Sequence, residues 1–198
     1  MKILLFDLGG VCLSNHWSKE QREKFSKEFN LNFEEMENYH IKNVKEINTG
    51  KLDEKSYFKN LFTEQKKEPK IEEAINFTRK NNYEFKDVLQ FIKELKSKYK
   101  IFALTNEIKE AADFRIEKFK LKEYFDEIFV SSYIGMEKFN ESKIYKYVIK
   151  KLNAEAENII FVDDKESNLI HAKELGIKTI HFKNLTQLKE DIKNIGIE

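Results

Sequence analysis

Apolar residues arrive along this chain in two textures. In "KILLF", positions 2–6, four of the five residues are apolar, and the run stops at Asp7, Gly9 and Gly10. A short unbroken apolar run ended by turn residues predicts a strand buried on both faces. From Ser18 to Asn82 the texture changes to apolar residues spaced three and four apart. The segments "KEQREKFSKEF", "NFEEMENYHIKNVKEI", "DEKSYFKNLFTEQ" and "KIEEAINFTRK" each predict an amphipathic helix. Gly50 suits the end of the second, Asp53 suits the N-cap of the third, and Pro69 precedes the fourth. No strand pattern interrupts this block.

After Tyr83 the two textures alternate. Helical "FKDVLQFIKELKSKY" is followed by the strand "KIFALTN", then helical "KEAADFRIEKF" by "FDEIFVSS", "ESKIYKYVIKKL" by "NIIFVDD", and "ESNLIHAKELG" by "IKTIHF". The helix "LTQLKEDIKNI" closes the series. Such alternation predicts an α/β fold with a doubly wound parallel sheet. The first strand belongs with this later set. The expected division is therefore a core of residues 1–14 plus 84–198, with residues 15–83 inserted as a helical unit. Ligands of such sheets sit at the carboxyl ends of the strands. The polar residues there are Asp7, Thr105, Asn106, Ser131, Ser132, Asp163 and Asp164, with Lys138 in the loop "GMEKFN".

Composition narrows the function. The chain has 198 residues, 40% of them hydrophobic, enough for a sizeable core. Its 36 basic and 35 acidic side chains leave a net charge of +1, which argues against nucleic acid or an anionic membrane as partner. One cysteine excludes an internal disulfide, and no Cys/His cluster suggests zinc, so a reducing, cytoplasmic location is expected. The apolar run Ile3–Phe6 is too short for a signal-peptide core or a membrane span.

Asp7 at the end of a buried strand costs desolvation unless it is paired or metal-bound, although an Asp there also serves to cap the following turn. Asp163 and Asp164 end a second buried strand, and adjacent like charges repel unless a cation compensates. Mg²⁺, which prefers carboxylate, carbonyl and water oxygens, is the natural compensator, with Lys138 as a second cation. A phosphate would bind through the metal, Lys138, Thr105 and loop amides.

Four motifs in order carry a family resemblance: "FDLGGV", "ALTN", "GMEKFNESKIY" and "FVDDKESNLIHAKELG". Together they resemble the haloacid dehalogenase superfamily over essentially the whole chain, and the helical insertion resembles the four-helix cap of its subclass I. The resemblance implies a Rossmann-like core and a Mg²⁺-dependent phosphatase acting on a small phosphorylated metabolite, such as a sugar phosphate, as monomer or homodimer. It implies Asp7 as nucleophile forming an aspartyl-phosphate, Thr105 and Asn106 on the phosphoryl group, and Lys138 neutralising both. It also implies that Gly9 and Gly10 line the phosphate site. The metal ligands implied are Asp7, the Gly9 carbonyl, Asp164, and Asp163 directly or through water.

Two positions depart from the family pattern. The third motif reads Lys138-Phe139-Asn140 in place of a Lys-Pro-Asp type. Gly9 stands where most phosphatases of the family carry a second Asp, the general acid and base; such help is worth roughly 10²–10⁴-fold. Three outcomes stay open: substrates whose leaving groups need little protonation, such as acyl or anomeric phosphates; an acid recruited elsewhere, with His16 nearest; or a halide leaving group, as in the superfamily's dehalogenases. A weakly active or inactive phosphate-binding relative is the remaining alternative. Cys12, His171 and His181 are expected to be structural. Trp17 and His16 either touch substrate or pack the hinge.

Overall fold

The computed structural model describes residues 2–139 and 141–197. Strands β1 (Ile3–Phe6), β2 (Lys100–Thr105), β3 (Glu127–Val130), β4 (Ile159–Asp163) and β5 (Lys178–His181) form a parallel sheet in the order β3-β2-β1-β4-β5. Helices α1 (Lys19–Glu28), α2 (Phe33–Asn48), α3 (Glu54–Glu64) and α4 (Ile71–Lys80) lie between β1 and α5 (Lys86–Lys96). Then follow α6 (Lys109–Lys118), the short α7 (Ser131–Ile134), α8 (Lys143–Leu152), α9 (Glu166–Glu174) and α10 (Leu185–Asn194). The Rossmann-like α/β core expected from the alternating pattern is present.

The unbroken apolar strands follow from burial on both sides, with alternate residues pointing opposite ways. Leu4 and Phe6 of β1, with Ile101, Ala103, Ile160 and Val162, meet Leu89 and Ile92 of α5 and Leu188 of α10. Ile3 and Leu5, with Leu104, Ile159 and Phe161, meet Ile144 and Val148 of α8 and Leu169 and Ala172 of α9. Sheet order places β1 between β2 and β4, so the residues that follow these three strands emerge side by side.

Helices α1–α4 share a separate core rich in aromatic rings. Phe25 stacks on Phe58 with centroids 5.5 Å apart, and Trp17 meets Phe25 edge-on at 5.1 Å. Ile108 and Ala111, at the start of α6, complete this cluster. The outgoing and returning chains pair where they pass: Ser14 N–H donates to Tyr83 O and Phe85 N–H to Cys12 O, both at 2.9 Å. A second contact lies at the far end of α2. Asn48 donates to Glu137 Oε2 at 3.1 Å, and a Cβ at Gly50, whose φ is +71°, would lie 2.5 Å from the Ser132 carbonyl.

One element differs from the sequence pattern. The strand read through Ser132 ends at Val130, and Ser131–Ile134 turns into α7. Gly135, left-handed at φ +75°, closes that turn by donating to Ser131 O. The Ser131 hydroxyl is buried and accepts the Glu107 N–H at 3.0 Å. Neither serine lines the cavity at the strand ends: the Ser131 carbonyl closes the turn, its hydroxyl holds the segment after β2, and the Ser132 hydroxyl is buried without a hydrogen-bond partner.

Candidate active site

Asp7 follows β1 directly, and its Oδ1 takes two hydrogen-bond donors: the Leu8 N–H at 2.8 Å and the Lys138 ammonium at 2.9 Å. Lys138 is 1% exposed and its Nζ also lies 2.7 Å from Asp163 Oδ2. A cation this deep is tolerated only when paired, and here it is held between two carboxylates. Asn106, one residue past β2, accepts the Lys138 backbone N–H on Oδ1 at 2.9 Å and so fixes the loop that carries the lysine. Asn140, the third residue of that motif, lies outside the described residues.

The adjacent acids of β4 have different surroundings. Asp163 is fully buried and saturated. Its Oδ1 accepts from Lys165 N and Asn168 Nδ2, and its Oδ2 from Lys138 and Asn168, at 2.7–3.0 Å. Asp164 is only partly buried, its Oδ1 has no hydrogen-bond partner, and its Oδ2 meets the Asn15 amide at 3.4 Å. Oxygens of Asp7, Asp163 and Asp164 lie within 4.8 Å of one another. Gly10 makes this convergence possible. Its φ of +82° suits glycine, and a Cβ there would run into the Asp164 carboxylate.

Charge does not balance in the cluster: three carboxylates face one ammonium. Burial, reinforced by Asp163 and Asp164, pushes Asp7 up to about 7 against the pull of Lys138. Burial and then Asp163 raise Asp164 above the usual carboxylate range. Burial alone would lower Lys138, but Asp163 and Asp7 outweigh it and hold the ammonium charged. Excess negative charge beside an unpartnered carboxylate oxygen fits a divalent cation bound by hard oxygen ligands.

A cavity of about 390 Å³ opens from this cluster toward α1 and α2. The sequence-predicted residues Asp7, Gly9, His16, Thr105, Asn106 and Lys138 all line it, whereas Gly10, Asp163 and Asp164 stand behind or beside it. Trp17 lines it too, with Nε1–H donated to Tyr57 Oη at 3.2 Å. The Asn106 amide nitrogen is buried without a partner. His16 is partly buried, with Nδ1 3.5 Å from Glu107 Oε1. Burial, then Arg115 and Arg79, push its imidazole well below the ordinary histidine range, so it is neutral at pH 7. Cys12 is buried, its Sγ 3.2 Å from Asp7 O, and burial pushes the thiol up. His181 Nε2 meets the Asp164 carbonyl at 3.0 Å, and His171 pairs with Glu174 on the surface.

Further lining residues were not singled out from sequence. Asn15, Arg22, His40, Asn48, Glu107 and Arg115 are scattered over four segments. Arg22 is held by Glu37, and the buried Arg115 donates to Glu107 at 2.7 Å and to Ser14 O at 2.9 Å. Asn168 had a local signal, since it follows the acidic pair by four residues in the fourth motif.

Residues 4–182 match the family described as haloacid dehalogenase-like hydrolase, and the chain belongs to that family. Over 58 residues it is 40% identical to the sesquiterpene phosphatase astK of Aspergillus oryzae, covering 29% of each chain. Over 81 residues it is 32% identical to flavin mononucleotide hydrolase 1 of Arabidopsis thaliana, covering 41% of this chain and 33% of that one. The matches span between 14% and 33% of the length of the curated relatives. Among solved structures, a mutant HAD family enzyme of Bacteroides thetaiotaomicron, in complex with magnesium and inorganic phosphate, superposes with a TM-score of 0.80. It is 23% identical, with 95% of this chain and 98% of that one covered. Among the described residues no helix is long and apolar enough to cross a membrane.

Proposed function

We propose that this hydrolase is a phosphatase of small phosphorylated metabolites in which Asp7 is the nucleophile. The observation that carries the reading is the buried Asp7–Lys138 pair, 2.9 Å apart, beside an Asp164 oxygen with no partner. The two hydrogen bonds on Asp7 both fall on Oδ1, which leaves Oδ2 to attack phosphorus. Lys138 stays charged and stabilises the phosphoryl oxygens, aided by Thr105 and the unpartnered Asn106 amide. Asp7, Asp164 and the Gly9 carbonyl would hold Mg²⁺, with Asp163 acting through water because its own oxygens are already engaged. When bound, Mg²⁺ neutralises the excess carboxylate charge and polarises the phosphoryl group. The relatives' names, a sesquiterpene phosphatase and a flavin mononucleotide hydrolase, support phosphate-ester chemistry.

The 390 Å³ cavity suits a phosphorylated sugar or a compound of similar size. A cytoplasmic location is the reading its single cysteine supports. Gly9 favours a second reading, a 2-haloacid dehalogenase-type hydrolase or a weak phosphate-binding relative, because neither needs an acid at that position. The unpartnered Asp164 oxygen weighs against dehalogenation, which needs no metal. Hydrolysis of p-nitrophenyl phosphate tests the reading. Turnover that requires both Mg²⁺ and Asp7 supports it; release of halide from 2-haloacids without Mg²⁺, or no turnover at all, refutes it.

A further inference from the structure

The tip of Asn15 occupies the space that a side chain at position 9 would enter. A Cβ built on Gly9 would lie 2.8 Å from Asn15 Oδ1, and no left-handed backbone bars a larger residue there. The amide nitrogen of the same side chain lies 3.4 Å from Asp164 Oδ2, so one of its two N–H groups is directed at the carboxylates. Asn15 also lines the cavity, and the chain runs on from it into His16 and Trp17 of the same wall. It therefore borders both the acidic cluster and the cavity, whose lining from α1 and α2 would face the organic half of a substrate. In-line displacement sends the leaving oxygen away from the attacking Asp7, toward that half.

We propose that Asn15 is the leaving-group residue of this site: its free amide N–H hydrogen-bonds the departing oxygen and transfers no proton to it. The proposal rests on the phosphatase reading and narrows its substrate class. Asp7 Oδ2 forms a bond to phosphorus as the P–O bond to the organic group breaks, and that electron pair leaves on oxygen as an anion. Water then attacks the phosphorus of the aspartyl-phosphate, the P–Oδ2 bond returns its pair to Asp7, and the water's proton passes to solvent. The departing anion takes its proton from solvent after release. Such a site selects esters whose leaving oxygen is stable as an anion: acyl, enol, aryl and anomeric phosphates over simple alkyl phosphates. His16 does not change this, because its Nδ1 faces Glu107 and the ring is neutral.

The test is turnover, with Mg²⁺, of aryl phosphates of graded leaving-group acidity together with alkyl phosphates. The wild type is expected to slow steeply as the leaving group becomes less acidic. Asn15→Ala is expected to lose roughly 10- to 100-fold on the poorest leaving groups, the size of one hydrogen bond to a charged oxygen, and little on nitrophenyl phosphate. Binding of beryllium fluoride with Mg²⁺, a phosphoryl mimic with no leaving oxygen, should weaken in Asn15→Ala by far less than turnover of the poorest leaving groups, since only the long contact to Asp164 is lost; it is read from the fluorescence of Trp17, the only tryptophan. Gly9→Asp alone should gain little on alkyl phosphates, since Asn15 obstructs it. Gly9→Asp with Asn15→Ser should gain on the order of 100-fold as an acid enters the vacated space. A flat wild-type dependence, an equal loss on every substrate in Asn15→Ala, or a full gain from Gly9→Asp alone would overturn the assignment. If no phosphate ester is turned over, the phosphatase reading itself fails and the assignment goes with it.

Discussion

The Lys138 ammonium lies 2.9 Å from Asp7 Oδ1, and both side chains are shut away from water. The same ammonium reaches Asp163, so a single cation ties the end of β1 to the end of β4. Removing it leaves two buried carboxylates without compensation. Lys138→Met keeps the stem but not the charge and should destabilise the metal-free protein by about 3–5 kcal/mol, read from denaturant unfolding. Mg²⁺ should restore part of the loss by neutralising the same carboxylates. Unchanged stability would mean that the pair carries no such charge.

Gly10→Ala should weaken the site without removing any charged group. The residue sits at φ +82°, and the added methyl would displace the Asp164 carboxylate. Backbone strain of about 1–2 kcal/mol is expected in unfolding, together with a weaker response of Trp17 fluorescence to Mg²⁺. Gly9→Ala has no such backbone strain and pushes only on the tip of Asn15, so it should lose less stability.

Acid should cost the fold stability at two partly buried histidines. Burial, then Arg22, pushes His40 down to about 3, and His16 is lowered as well. Above the ordinary histidine range neither state binds the proton, and the native fold is at full advantage. As pH falls below about 6.5 the unfolded chain takes protons that the native imidazoles refuse, so stability is lost toward the folded pKa. For His40 the loss amounts to up to about 2 kcal/mol by pH 5. Asp7 and Asp164, whose carboxyls are raised, gain stability over the same range, so the His40 contribution is read as a difference: from pH 7.5 to 5 the wild type should lose melting temperature relative to His40→Gln. Parallel curves would contradict the shift.

Much of this architecture was legible in the chain, because its strands are buried on both faces and its helices on one. "KILLF" and "NIIFV" have no polar residue where a half-exposed strand would show one. The Asp7, Asp163 and Asp164 carboxylates were readable from where those runs stop. Ser131 and Ser132 were misplaced because "FVSS" has strand character, while the turn of α7 depends on Gly135 and on a hydrogen bond from Glu107, which is 24 residues away. Asn15, Glu107 and Arg115 were missed for a related reason. Each is an ordinary polar residue in its own segment and acquires a role only when β1, β2 and α6 bring the segments together. The contrast between a saturated Asp163 and an unpartnered Asp164 is likewise invisible in "DD", since it arises from Asn168 and Lys138.

The central claim is that Asp7 carries the phosphoryl group, and a rapid acid quench tests it most directly. Protein mixed with Mg²⁺ and acetyl phosphate or p-nitrophenyl phosphate is quenched in acid within milliseconds, digested and weighed by mass spectrometry. The account expects one added phosphoryl group on the peptide containing Asp7, absent without Mg²⁺ and absent in Asp7→Asn. Steady turnover of the same substrate with that peptide never phosphorylated, or turnover undiminished in Asp7→Asn, would contradict it.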